Sequence, residues 1–289
     1  MARPPGPPLQ RLFEGRHLRA SLIDPGADCL IVTFDFRRTL RDGFSAATHS
    51  TGFARQGFGQ LMIQTAANDW FINPDTAALE AALAGLAGRF GQVRLLGYSM
   101  GGYGALRFAR ALNADTAVII SPQVSIAPQV VPFDRRYRNE GLDFDATLGD
   151  LQARAMPGLQ GLILADPFVA ADRRHVAMIQ ALFPGLAFVR LGFGGHPAIR
   201  VLRGAKAAWW VQRAAASAIP APAPVLAAHR AARAGSAGYW QRLARHAQAR
   251  HPALAAHALT RAAALAPLPG DAEDEDGDGL ALDLAPESP

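Results

Sequence analysis

The stretch Leu95-Leu96-Gly97-Tyr98-Ser99-Met100-Gly101-Gly102 constrains this chain more than any other. Ahead of it, Val93-Arg94-Leu95-Leu96 reads as a buried strand, and after it Gly102-Tyr103-Gly104-Ala105-Leu106-Arg107-Phe108 opens a helical pattern. Between the two stands Gly-x-Ser-x-Gly, a nucleophile elbow, in which a serine rides a sharp strand-to-helix turn with its hydroxyl above a sheet. A serine held in that strained conformation leaves no room for Cβ atoms two residues either side, so Gly97 and Gly101 are the residues that fit. The spacing alone is weak in a chain with 28 glycines. Set between an apolar strand and a helix, it is specific.

An elbow serine calls for an acid and then a histidine further along the chain. Gly161-Leu162-Ile163-Leu164-Ala165 is an apolar run ending at Asp166-Pro167-Phe168-Val169. Ala187-Phe188-Val189-Arg190-Leu191 is the next, and it runs into Gly192-Phe193-Gly194-Gly195-His196-Pro197. Both candidates thus lie just past the carboxyl end of an expected strand, where open α/β sheets place their sites. His196 would take the proton of Ser99 as it attacks and return it to the leaving group. Asp166 would fix the imidazole tautomer and stabilise the imidazolium. Asp172 is the competing acid, read as a cap for the helix that starts near Arg173-Arg174-His175-Val176.

With these three motifs, roughly residues 20–215 resemble the α/β-hydrolase superfamily. The resemblance implies a serine hydrolase or acyltransferase with catalytic Ser99, Asp166 and His196 and no cofactor. It also implies an oxyanion hole. One donor is the N–H of Met100, at the start of the helix. The other comes from the loop after Cys29-Leu30-Ile31-Val32-Thr33-Phe34, where the family often has His-Gly and this chain has Phe34-Asp35; Phe36 is the first choice and Asp35 the second. A weaker similarity, to accessory-secretion and glycan-export proteins that include acetyltransferases, rests on Gly97–Leu106, Ser121-Pro122-Gln123 and Asn68-Asp69-Trp70-Phe71.

The apolar runs fall near 18–23, 29–35, 58–65, 92–98, 115–120, 160–165 and 186–191, and helical patterns near 75–89, 100–113, 146–155, 171–182 and 197–215. This alternation predicts a mostly parallel sheet with helices on both faces, plus a small C-terminal helical appendage. The expected organisation is an N-terminal extension (1–17), the main α/β domain (18–216), a Pro/Ala linker (217–225), a helical appendage (226–266) and an acidic disordered tail (267–289). Residues 122–158 form a cap-like insertion containing Pro132-Phe133-Asp134-Arg135-Arg136-Tyr137-Arg138. Arg135, Arg136 and Tyr98 are the candidate substrate contacts, against the alternative of a solvated charged loop.

Charge and cysteine content narrow the class. The net charge is +5, but the tail holds eight acids and no base, so the remaining 16 acids face 29 bases, a net of +13. The basic residues are not interleaved with aromatics along a groove-like segment and no nucleic-acid motif appears, so nucleic acid is excluded as a partner. No apolar stretch approaches the length of a membrane span, and residues 1–8 lack a signal peptide's hydrophobic core. The single cysteine, Cys29, points to a reducing cytoplasm. His246, His251 and His257 have the wrong spacing for one helical face, and the tail's Asp274-x-Asp276-x-Asp278-Gly279 has Ala285 where a calcium loop needs Glu, so no metal is expected. The expected substrate is a small-molecule or glycan ester, with a protein partner for the C-terminal helices. The expected activity is ester hydrolysis through an acyl-serine. Acyl transfer to a glycan or other hydroxyl, or an inactive hydrolase-fold binding module, are the alternatives.

Overall fold

The computed structural model describes residues 9–23, 26–86 and 88–265. Eight strands form one sheet: β1 (Leu9–Glu14), β2 (Leu18–Ile23), β3 (Cys29–Phe34), β4 (Gly59–Thr65), β5 (Gln92–Tyr98), β6 (Thr116–Ile120), β7 (Gln160–Ala165) and β8 (Leu186–Arg190). Their order is β1-β2-β4-β3-β5-β6-β7-β8. The pairs β1–β2 and β2–β4 are antiparallel and the other five are parallel.

The central strands are apolar almost throughout because both faces are covered. Alternate residues divide between two layers. Val32, Leu95, Ile119 and Ile163 face α2 (Thr76–Ala84), α3 (Met100–Phe108) and α5 (Ala170–Leu182). Ile31, Leu96, Val118 and Leu164 face α1 (Thr51–Arg55), α6 (Arg200–Gly204), α7 (Trp209–Ala215) and α8 (Pro222–Arg233). A short helix, α4 (Arg138–Leu142), lies in the expected insertion, and α9 (Ala237–Ala247) and α10 (Pro252–Ala263) pack on each other at the C-terminus. Among the described residues no helix is long and apolar enough to cross a membrane.

The structure departs from the sequence reading in four places. Residues 9–14, expected within an extension, form β1. Only Leu12 and Phe13 of that edge strand pack on the core, too few to write an alternating pattern. Residues 146–155 are turns: Asp145 accepts from the Thr147 and Leu148 amides and Asp150 from that of Gln152, which closes local loops in place of a helix. The expected 197–215 helix is two pieces, α6 and α7, separated at Lys206 with its φ of 54°. In the expected linker, Pro222 starts α8, a position where a missing N–H costs nothing. The expected acidic tail lies outside the described residues.

Candidate active site

β5 delivers Ser99 to the turn into α3 with φ 49° and ψ −115°, a region that costs a non-glycine residue free energy. The surroundings hold it there. A Cβ on Gly97 would lie 2.2 Å from the Gly101 carbonyl oxygen, and one on Gly101 would lie 2.7 Å from that of Asp35. The Ser99 amide donates to Ile120 O at 2.8 Å, and the Ser99 carbonyl accepts from the Gly102 amide at 2.8 Å. Glycine at both flanks is therefore a steric requirement.

His196, in the loop after β8, brings Nε2 to 3.0 Å from Ser99 Oγ. Its Nδ1 is 2.8 Å from Oδ2 of Asp172, a fully buried carboxylate in the first turn of α5. A hydroxyl, an imidazole and a carboxylate thus stand in one hydrogen-bonded line. Burial pushes the His196 pKa below the ordinary histidine value, and Asp172 opposes that shift. Burial pushes Asp172 up, yet His196 and Arg136 outweigh it and leave the carboxyl below its ordinary value.

The carboxylate in this line is Asp172 and not the expected Asp166. Asp166 sits at the end of β7, but its two oxygens accept from the amides of Gly195 (2.8 Å) and Phe168 (2.9 Å). It shapes the turn that precedes His196. Asp172 is not a helix cap: the capping position is Val169, with no side-chain cap. The chain turns once into α5 before presenting its acid, so the end of the strand was the wrong place to look.

The Arg136 guanidinium is engaged by two carboxylates. Its NH1 pairs with Asp172 Oδ1 at 2.8 Å, while Nε and NH2 clasp Asp134 at 2.9 and 2.7 Å. Asp134 in turn meets Nε2 of the fully buried His175 at 2.9 Å, and His175 Nδ1 accepts from the Val124 amide at 3.1 Å. The accepting Nδ1 places the His175 proton on Nε2, facing Asp134. Burial opposes the charge on Asp134, but its bonds to His175 and Arg136 hold the carboxyl far below its ordinary value. Arg135 is exposed, and Tyr98 is buried in the layer of α6 and α7, where desolvation pushes its hydroxyl well above the ordinary pKa.

Three further groups close on Ser99. Tyr137 Oη is 3.0 Å from His196 Nε2. Gln123 Nε2 is 3.4 Å from Ser99 Oγ, and its Oε1 accepts from Trp70 Nε1 at 3.0 Å. Trp70 (φ 51°) and Phe71 (φ 60°) turn sharply there, with Asp69 Oδ1 accepting from the Phe71 amide at 2.9 Å. The sequence signals were Ser121-Pro122-Gln123 and Asn68-Asp69-Trp70-Phe71, two segments distant in the chain that meet where Trp70 donates to Gln123. For Tyr137 the only signal was its place in the Arg-rich insertion.

Met100 is the first residue of α3, where an amide has no partner within its helix. The loop after β3 lies directly on the elbow, as the closeness of Asp35 O to Gly101 shows. The Asp35 amide donates to Ile63 O at 2.9 Å, which sets Asp35 aside as the second donor. Arg41 braces this loop, bonding Asp35 Oδ2 (3.1 Å), Asn68 Oδ1 (3.0 Å) and the Phe36 carbonyl.

The C-terminal helices grip the loop that carries His196. From α8, His229 Nε2 donates to Gly192 O at 3.1 Å; from α9, Arg242 Nε donates to Phe193 O at 2.7 Å. The Phe193 ring stacks flat on Phe168 at 4.1 Å, with Tyr239 and His246 of α9 against it. Among the described residues no group of His, Cys, Asp and Glu side chains could hold a metal ion. Cys29 is a half-buried free thiol whose pKa burial pushes up.

No family model matches this chain, and no curated protein does. Solved structures with some likeness include a capsule O-acetyltransferase of Neisseria meningitidis serogroup A, at 16% identity and TM-score 0.45, covering 63% of this chain and 86% of that one. An esterase of Pyrococcus furiosus shares 13% identity at TM-score 0.42, covering 72% and 88%. Acetyl xylan esterase 1 from Thermoanaerobacterium sp. JW/SL YS485 shares 14% at TM-score 0.40, covering 59% and 71%.

Proposed function

We propose that this protein is a serine-dependent acyl-transfer enzyme of the α/β-hydrolase type that works through an acyl-Ser99 intermediate. The observation that carries the reading is the line Ser99–His196–Asp172, with its hydroxyl set on a strained turn beside the N-terminus of α3. A serine hydroxyl is a weak nucleophile until a base takes its proton. His196 Nε2 stands at the distance for that transfer, and burial keeps the imidazole neutral and ready to accept.

Ser99 Oγ attacks the ester carbonyl carbon while its proton passes to His196 Nε2. The imidazolium that forms faces Asp172, whose charge stabilises it. Negative charge gathers on the former carbonyl oxygen, where the amides of Met100 and Phe36 are the donors assigned to it. Collapse expels the leaving alkoxide, protonated from Nε2. A second hydroxyl then repeats the sequence on the acyl-serine. Water gives hydrolysis of a carboxylic ester; a glycan or other hydroxyl gives transfer. An inactive binding module gives no role to a strained serine, a histidine and a buried carboxylate hydrogen-bonded in one line.

Mass spectrometry of the full chain after treatment with a fluorophosphonate, or with p-nitrophenyl acetate, tests the reading. The expected result is a single adduct on the peptide containing Ser99, absent from Ser99→Ala. No adduct on the wild-type protein, or equal labelling of the alanine variant, would overturn it.

A further inference from the structure

The acyl-enzyme leaves one question that geometry can address, namely what reaches its carbonyl carbon. Once Ser99 is acylated its oxygen carries no proton, and His196 Nε2 must take one from the incoming nucleophile. That oxygen has to stand at hydrogen-bond distance from Nε2. The position is filled in this structure. Tyr137 Oη lies 3.0 Å from Nε2, the same distance as Ser99 Oγ.

Tyr137 is held on both sides. Its ring packs on that of Trp70 at 4.7 Å, and Trp70 is tied through Gln123 toward Ser99. On the other side the Arg136 guanidinium lies 5.3 Å from the ring centre, itself fixed by Asp134 and Asp172. Burial pushes the phenol above its ordinary pKa, so near neutral pH it is an O–H and not a competing phenolate nucleophile. Asp172 accepts from Nδ1–H, which leaves the Nε2 lone pair as the acceptor for the Tyr137 hydroxyl.

We propose that the Tyr137 hydroxyl is a stand-in for the attacking oxygen and governs which nucleophile resolves the acyl-enzyme. Water must displace it with no help from contacts elsewhere. An acceptor molecule bound by its other parts can spend that binding energy on the displacement. Tyr137 therefore slows hydrolysis and favours transfer to a hydroxyl-bearing acceptor. In that transfer the acceptor O–H loses its proton to Nε2 and its oxygen bonds to the acyl carbon. The bond from that carbon to Oγ then breaks, and Ser99 recovers the proton from Nε2, with no other reactant needed. This inference rests on the acyl-serine reading.

The test uses p-nitrophenyl acetate with the full chain, where the burst reports acylation and the steady phase deacylation by water. Tyr137→Phe keeps the ring packed on Trp70 and removes only the hydroxyl; Tyr137→Ala opens the whole position. The ratio of deacylation to acylation rate constants should rise about tenfold in Tyr137→Phe, the size of one displaced hydrogen bond, and further in Tyr137→Ala. A ratio unchanged or lowered in both variants, with the wild-type burst present, would overturn the proposal and leave the acyl-serine reading standing. A wild-type protein that forms no acyl-Ser99 would overturn both.

Discussion

Ser99 and His196 meet at 3.0 Å, but they are held by opposite kinds of support. The serine is placed by backbone: its own strand, the first turn of its own helix, and glycines two residues away on each side. The histidine is placed by side chains from elsewhere. Asp166 and Asp172 come from the preceding β7–α5 unit, and His229 and Arg242 from helices beyond the sheet. A local steric device is all-or-none, since a Cβ either fits or does not. A distributed one can be weakened a contact at a time.

The sharpest break falls on the serine side. Ser99→Ala should lower turnover of p-nitrophenyl acetate by several orders of magnitude while leaving the thermal unfolding midpoint close to wild type, because nucleophile and base act as a unit. Turnover near the wild-type rate would remove the elbow from the chemistry altogether.

Two aspartates sharpen the contrast on the histidine side. Asp172→Asn loses the charge facing the imidazolium, and kcat should fall by about 10³–10⁴. Asp166→Asn keeps one oxygen for the Gly195 or Phe168 amide, and should cost about 1–3 kcal/mol of stability with a far smaller loss of kcat. Steady-state kinetics and urea unfolding of both variants, run together, separate the roles. Equal catalytic losses would mean that loop shape and imidazolium stabilisation cannot be told apart here.

The same division explains what the sequence made legible. The central strands β3, β6 and β7 appear as apolar runs because both their faces are covered. The elbow is legible because its code lies within five residues. The acid was misplaced because Asp166 and Asp172 flank one strand-to-helix loop, and only packing decides which carboxylate turns toward His196. The clasp of Arg136 by Asp134 and Asp172, which joins the insertion to α5, has no local signal either. Nothing in local periodicity links Trp70 to Gln123, or α9 to Phe193.

Protonation gives a third measure. The proposed acyl transfer needs neutral His196, and burial depresses its pKa against the opposing pull of Asp172. Activity should therefore rise with pH on a limb centred below about 6.5, the ordinary histidine value, and fall about tenfold per unit under that limb. In Asp172→Asn the residual activity should show the limb at still lower pH, because the group that raises the His196 pKa has been neutralised. A kcat/KM profile whose limb stays in place would show that Asp172 does not act on the imidazole.

The smallest effect expected is also the one that bears most directly on distributed support. Arg242 donates to Phe193 O, three residues before His196. Arg242→Ala removes that bond while leaving Asp172 and the stacked Phe168–Phe193 pair in place. Small misplacements of a reacting group are costly, so kcat should drop roughly fivefold to tenfold with KM for p-nitrophenyl acetate little changed. Arg242→Lys, which keeps a donor of similar reach, should recover part of the loss. Leu259→Ala, on an exposed position of α10, serves as the control for general damage to the helical pair and should match wild type. A full rate in Arg242→Ala would show that the loop keeps its shape without α9 and that the C-terminal helices serve something other than the base. An equal loss in Leu259→Ala would instead trace the effect to the stability of the pair as a whole.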